Sequence, residues 1–110
     1  MRAWKATEET AARVLGGRRI GRARGLSAPD VVLPTGWVVE AKTRRRLPAI
    51  ITAALIQAEG YALRGFGQRP IAVLRETGSR RAVACLWLAD LGEILEPEGK
   101  EGALHDEASD

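Results

Sequence analysis

Asp30, Glu40 and Lys42 have the residue types and spacing to do chemistry. Asp30 leads into a short apolar strand, Val31-Val32-Leu33. Pro34-Thr35-Gly36 reads as a turn, and Trp37-Val38-Val39-Glu40-Ala41-Lys42 reads as the return strand. Alternate residues of a strand share a face, so Glu40 and Lys42 point the same way. If Leu33 pairs with Trp37 across the turn, opposed positions sum to 70 and Asp30 faces Glu40. Their Cβ atoms would then lie about 5 Å apart, close enough for two carboxylates to repel unless a cation sits between them. Hard divalent cations such as Mg²⁺ take such oxygen ligands, together with water and phosphate. Lys42 beside them could hold a scissile phosphate or polarise an attacking water. Val38, Val39 and Ala41 give Glu40 an unusually apolar setting for an idle surface acid. The plainer alternative is that a Glu-x-Lys in a strand arises by chance.

Other elements must position these groups. Residues 4–15 read as a helix that Gly16-Gly17 stops. Glu8 shares its apolar side with Ala11, Ala12 and Leu15, whereas Glu9 groups with Arg13 as a solvated pair. Residues 18–26 read as an irregular strand and a loop, and residues 43–47 as a basic connection. A second helix runs from Pro48 to about Leu63, with Ile50, Ala54, Gln57 and Tyr61 on the face expected to pack on the sheet. A buried Gln57 would need hydrogen-bond partners, from a site or from nearby backbone. Strands follow at residues 71–74 and 82–87, joined by a turn at Thr77-Gly78-Ser79. Val83, Cys85, Leu86 and Trp87 read as core, with one strand face apolar enough to pair across a two-fold axis. Asp90-Leu91-Gly92-Glu93 has the capping-box arrangement of a last short helix. This order predicts one mixed α/β domain with a central sheet over residues 1–96, and a disordered acidic tail over residues 97–110.

The formal charge of +3 conceals a division. Residues 1–92 carry 16 bases and seven acids, whereas residues 93–110 carry one base and seven acids. A body of that sign suits a polyanion, most naturally nucleic acid. Cys85 is the single cysteine and His105, in the tail, the single histidine. The body therefore holds no Ser-His-Asp triad, histidine zinc pair or cysteine zinc cluster. No apolar run approaches the roughly 18 residues of a membrane span. The charged start, Met1-Arg2-Ala3-Trp4-Lys5, reads against export, so an intracellular, cytoplasmic location is expected.

Pro29-Asp30, nine intervening residues and Glu40-Ala41-Lys42 resemble the PD-(D/E)XK nuclease superfamily of restriction-endonuclease-like fold. Glu8 or Glu9 fits the first-helix Glu that members often carry, and Gln57 fits the Gln of the helix after the Lys strand. The order helix, three strands, helix, strand matches too, so the resemblance covers about residues 4–92. Among small members the chain is most similar to archaeal-type Holliday junction resolvases and related phage enzymes. Their basic, Gly-containing loop with a Ser before the Asp is matched in part by Arg22-Ala23-Arg24-Gly25-Leu26-Ser27.

The resemblance implies an α/β restriction-endonuclease-like core, with a central mixed β-sheet flanked by helices in αβββαβ order. It implies metal-assisted phosphodiester hydrolysis in DNA recombination or repair. Glu8, Asp30 and Glu40 would hold Mg²⁺ or Mn²⁺, with the Ala41 carbonyl a further ligand, and Lys42 and Gln57 would complete the catalytic set. Arg18, Arg19, Arg22 and Arg24 before the Asp, and Arg44, Arg45 and Arg46 after the Lys, bracket the site as contacts to the DNA backbone, with Ser27 as a further phosphate contact. Branched DNA, a four-way junction, is the expected partner, a homodimer the expected assembly, and a phage gene a fitting origin. The alternatives are another nuclease of this fold (repair, flap or restriction-type) and a non-catalytic nucleic-acid-binding module.

Overall fold

The computed structural model describes residues 3–20 and 28–95, apart from the side chains of Ala3 and Trp4. Arg22, Arg24, Ser27 and the acidic tail lie outside the described residues. The elements are α1 (Ala3–Leu15), β1 (Arg18–Arg19), β2 (Val31–Val32), β3 (Val38–Val39), α2 (Ala49–Tyr61), β4 (Ala72–Arg75), β5 (Ala82–Cys85) and α3 (Leu88–Ile94). A 3₁₀ turn, Arg64–Phe66, precedes β4. Among the described residues the strands form two small antiparallel sheets, β1-β2-β3 and β4-β5, where one mixed central sheet was expected. No helix among them is long and apolar enough to cross a membrane. Two compact units divide the chain: one is built on the segment up to Thr43 and that from Leu91 onward, the other on Arg44–Asp90.

In the first unit, α1 ends where the Gly pair predicted. Gly16 takes the left-handed φ of 72°, and the Gly17 N–H donates to the Ala12 carbonyl at 2.8 Å. That is a Schellman closure, which satisfies a helix-end carbonyl and reverses the chain. The reversed chain forms β1, whose Arg18 and Arg19 pair with Val32 and Val31. The buried face of α1 consists of Glu8, Ala11 and Leu15, spaced for a helix, and α1 packs on β1 and β2. Val31 and Leu33 complete this small core. Close approach at Gly17 makes that packing possible. A methyl there would lie 2.7 Å from Val31 Cγ1 and 2.8 Å from the Val32 carbonyl oxygen. Gly92 plays the same part on α3, where a Cβ would lie 2.6 Å from the Val14 carbonyl oxygen.

The second unit packs α2 on β4, with Leu55, Pro70 and Ala72 buried. Ile51, Leu55, Ala58 and Ala62 form the better-covered side of α2 and its exit, not the anticipated face. Ile50 is 65% exposed, Tyr61 is 74% exposed, and Gln57 is also exposed. The helix sequence AIITAALIQAEGY is apolar nearly all round, so spacing alone selects no face. Val83 is exposed rather than core, and Cys85, Leu86 and Trp87 are half-buried. The last helix also departs from expectation. It starts at Leu88, which puts Asp90 in the first turn instead of at a capping position.

A hydrogen-bonded cluster fastens this unit. Arg64 donates to Glu59 Oε2 at 2.8 Å and Oε1 at 3.0 Å, and to Asp90 Oδ1 and Oδ2 at 3.0 Å each. The Trp87 indole N–H donates to Glu59 Oε1 at 2.9 Å. These bonds, Arg64 foremost, hold both carboxyls below their ordinary acidity range and raise the Arg64 guanidinium further.

Two expectations follow. Gly17→Ala should destabilise the protein by about 1–3 kcal/mol through overpacking. Gly60→Ala, in α2 with open space around the position, should be neutral or stabilise by up to about 1 kcal/mol. Urea unfolding of the two variants measures the contrast, and equal midpoints would show that β1 can move aside. Because the Glu59 and Asp90 carboxyls titrate lower when folded, their stabilisation is complete above the ordinary carboxylate pKa near 4. It disappears as pH falls through the lowered folded values. Arg64→Ala should accordingly lose less stability than wild type between pH 7 and pH 3, measured by the same unfolding assay.

Candidate active site

The hairpin is in the predicted register. Val31 pairs with Val39 and Val32 with Val38, and the Leu33 N–H donates to the Trp37 carbonyl at 2.9 Å. Pairing is shorter than predicted, since the ladder covers only Val38–Val39 of the return segment. Gly36, with φ of 99°, supplies the tight turn between the strands.

At Asp30 the register departs from simple opposition. Its N–H donates at 2.9 Å to the carbonyl of Val39, the residue already paired with Val31. Two residues thus face one, in the manner of a β-bulge, and Asp30 does not simply oppose Glu40. The Asp30 carboxylate turns toward the other chain and accepts the Ala41 N–H at 2.7 Å on Oδ2. Asp30 is only 7% exposed. Among the described residues no ion pair reaches it, and its second oxygen accepts no hydrogen bond from them. A buried carboxylate held by one backbone N–H has oxygen lone pairs left for a further donor, a water or a cation.

Glu40 and Lys42 do come together, with Lys42 Nζ 3.5 Å from Glu40 Oε2. Their side chains are 58% and 69% exposed, so the apolar neighbours do not bury Glu40 as the sequence suggested. Val38 itself faces solvent. In water such a pair contributes about 0–1 kcal/mol, so both groups are available to a ligand.

Glu8, not Glu9, is the inward acid of α1, at 6% exposure. Its carboxylate is occupied. Arg19 donates to Glu8 Oε1 from Nε at 3.2 Å and from Nη2 at 2.9 Å, while Nη1 reaches Glu9 Oε2 at 3.3 Å. Glu9 thus pairs with Arg19 rather than with the anticipated Arg13. The Thr7 and Thr43 hydroxyls also hydrogen-bond to each other, which ties α1 beside Glu8 to the chain just past Lys42. The first unit therefore holds Glu8, Asp30, Glu40, Ala41 and Lys42 on adjoining segments. As the side chains are arranged, no three or more His, Cys, Asp or Glu among the described residues form a cation-holding group.

The donor set nevertheless suits a hard divalent ion: all carboxylate oxygens, two of the three acids buried, and one of those without a counter-charge among the described residues. Gln57 belongs to the second unit and is exposed on α2. Arg18, Arg44, Arg45 and Arg46 are exposed, whereas Arg19 is half-buried against Glu8.

Sequence reasoning grouped Arg19 with the surface bases and missed its partner. One signal was present. Glu8 is the charged group on an otherwise apolar helix face, and the Gly16-Gly17 reversal brings the next residues back along that helix. Comparison with family models, with curated proteins and with solved structures finds no match.

Proposed function

We propose that the protein is a metal-dependent, structure-selective DNA endonuclease, a Holliday junction resolvase built on a restriction-endonuclease-like core. The observation that carries this reading is the buried Asp30, braced by the Ala41 N–H and lacking a described counter-charge, beside the accessible Glu40–Lys42 pair. The element order α1, three strands, α2, β4 supports the core assignment.

Asp30, Glu40 and Glu8 are the carboxylates to hold Mg²⁺ or Mn²⁺, with the Ala41 carbonyl beside them. A divalent ion bound there supplies a water of lowered pKa and neutralises charge on a phosphodiester. The chain's own groups do the remaining work. The Ala41 N–H fixes the Asp30 carboxylate, so little reorganisation is needed for it to meet a ligand. Lys42, on a solvated stem, can leave Glu40 and place its ammonium on a phosphate oxygen. Arg18 and the Arg44–Arg46 triplet offer exposed guanidinium groups for backbone phosphates, contacts that position DNA without reading its bases. Action on both strands of a junction calls for a homodimer, and such a substrate places the protein inside the cell. The Arg19–Glu8 pair favours a second reading, a nucleic-acid-binding module without catalysis, because it already satisfies one of the acids.

Labelled four-way junctions, flaps and linear duplexes, incubated with Mg²⁺ or with EDTA, separate the readings. A resolvase nicks junctions in symmetric pairs and leaves linear duplex intact. Asp30→Asn keeps an oxygen to accept the Ala41 N–H, so it should fold, yet lose about 100-fold or more in cleavage. Equal cutting of linear duplex would instead mark a repair or restriction-type nuclease. Binding without cutting, in Mg²⁺ and Mn²⁺ alike, would establish the non-catalytic module.

A further inference from the structure

Glu8 is a buried acid with a borrowed counter-charge. Both of its bonds from Arg19 fall on Oε1, and the guanidinium is shared with Glu9, the exposed neighbour. The Arg19 side chain is 35% exposed, so its outer face meets solvent while its inner face meets Glu8. It stands on β1, one residue past the exposed Arg18, where a bound polyanion would come within reach. A guanidinium that bonds a carboxylate in this way bonds a phosphate equally well. Glu8, for its part, must keep some cation as long as it stays buried.

Resting on the nuclease reading, we propose that Arg19 is an exchangeable counter-ion. It holds Glu8 in the free protein, transfers to a backbone phosphate when DNA binds, and leaves Glu8 to a divalent cation. The free protein thereby binds metal weakly, and DNA and metal bind cooperatively. By linkage each raises the affinity of the other by the same factor, about tenfold for a coupling of ordinary size. Arg19 is a positioning residue in this scheme, since it acts through Glu8.

Mn²⁺ binding to the full chain, followed by the spin resonance of the free ion, tests the exchange with and without a short linear DNA duplex. Each titration is corrected for binding to duplex alone. Wild type should bind Mn²⁺ about tenfold more tightly with duplex present. Arg19→Gln should show that tighter binding without duplex and gain nothing further from it. Arg19→Lys, which keeps a cation beside Glu8, should restore weak binding and part of the duplex dependence.

Glu8→Gln needs no counter-ion, so it should fold without help from Arg19, and it should abolish the gain from duplex. Thermal melting of each variant confirms that the fold is intact. The exchange is overturned if Arg19→Gln binds Mn²⁺ no more tightly than wild type, or if Glu8→Gln keeps the gain. Should those results come from a wild type that still cuts junctions, the nuclease reading stands without the exchange. If wild type binds no Mn²⁺ with or without duplex, both fall together.

Discussion

Two carboxylates, Glu8 and Asp30, are taken out of water in a unit whose buried apolar residues, among those described, are few: Ala11, Leu15, Val31 and Leu33. So small a core has little stability to spare for an unanswered charge. Much of the local architecture can be understood as the answer. Asp30 receives the Ala41 N–H, which requires the return segment of the hairpin to run close past it. Glu8 receives Arg19, which requires the chain to reverse sharply after α1 and pair on β2. Gly16 permits the reversal and Gly17 the close approach. Had these acids no use, apolar residues in their places would pack with less demand on the backbone. Their burial is therefore the strongest physical reason to look for function here.

The parts legible in the sequence were those set by local chemistry. The Gly pair marked the end of α1, and the apolar spacing of α1 distinguished Glu8 from Glu9. Pro34-Thr35-Gly36 fixed the hairpin register as far as Val31 and Val39. Legibility stopped where side chains decide backbone pairing. The shift at Asp30 arises as its own N–H doubles up on Val39 and its carboxylate takes the Ala41 N–H, neither of which alternation reveals. The inward face of α2 was illegible for the opposite reason, an excess of apolar residues on every side. Asp90 resembled a helix cap because caps and ion-pair partners draw on the same residue types, and only Arg64, 26 positions away, settles which it is.

The second unit handles scarcity of core by different means. Leu55, Pro70 and Ala72 are its buried apolar residues, while Val73, Val83, Ile50 and Ile56 face outward. Arg64 compensates with a fork between Glu59 and Asp90, and Trp87 adds its indole donor to the same acid. A planar guanidinium serves two carboxylates from fixed directions, so the cluster specifies geometry as well as neutralising charge. The cluster joins the end of α2, the 3₁₀ turn, the segment after β5 and the start of α3.

Charge partition links stability to partner choice. Of the seven acids before residue 93, Glu8 and Glu9 share Arg19, Glu59 and Asp90 share Arg64, and Glu40 takes Lys42. Three bases thus serve five acids, with Arg69 adding a further positive charge near Asp90. This sharing leaves more bases outside those ion pairs than one-to-one pairing would, and Arg18 and Arg44–Arg46 are among the exposed residues. Pairing one base with two acids is weak local economy, since the second acid gains only part of a counter-charge. It makes sense where the remaining bases face a polyanion whose phosphates neutralise them on binding. Arg19 stands at the boundary of the two populations, structural by its bond to Glu8 and basic-surface by its neighbour Arg18. Displacing that one guanidinium would therefore alter both the charge presented at the surface and the charge left on a buried acid.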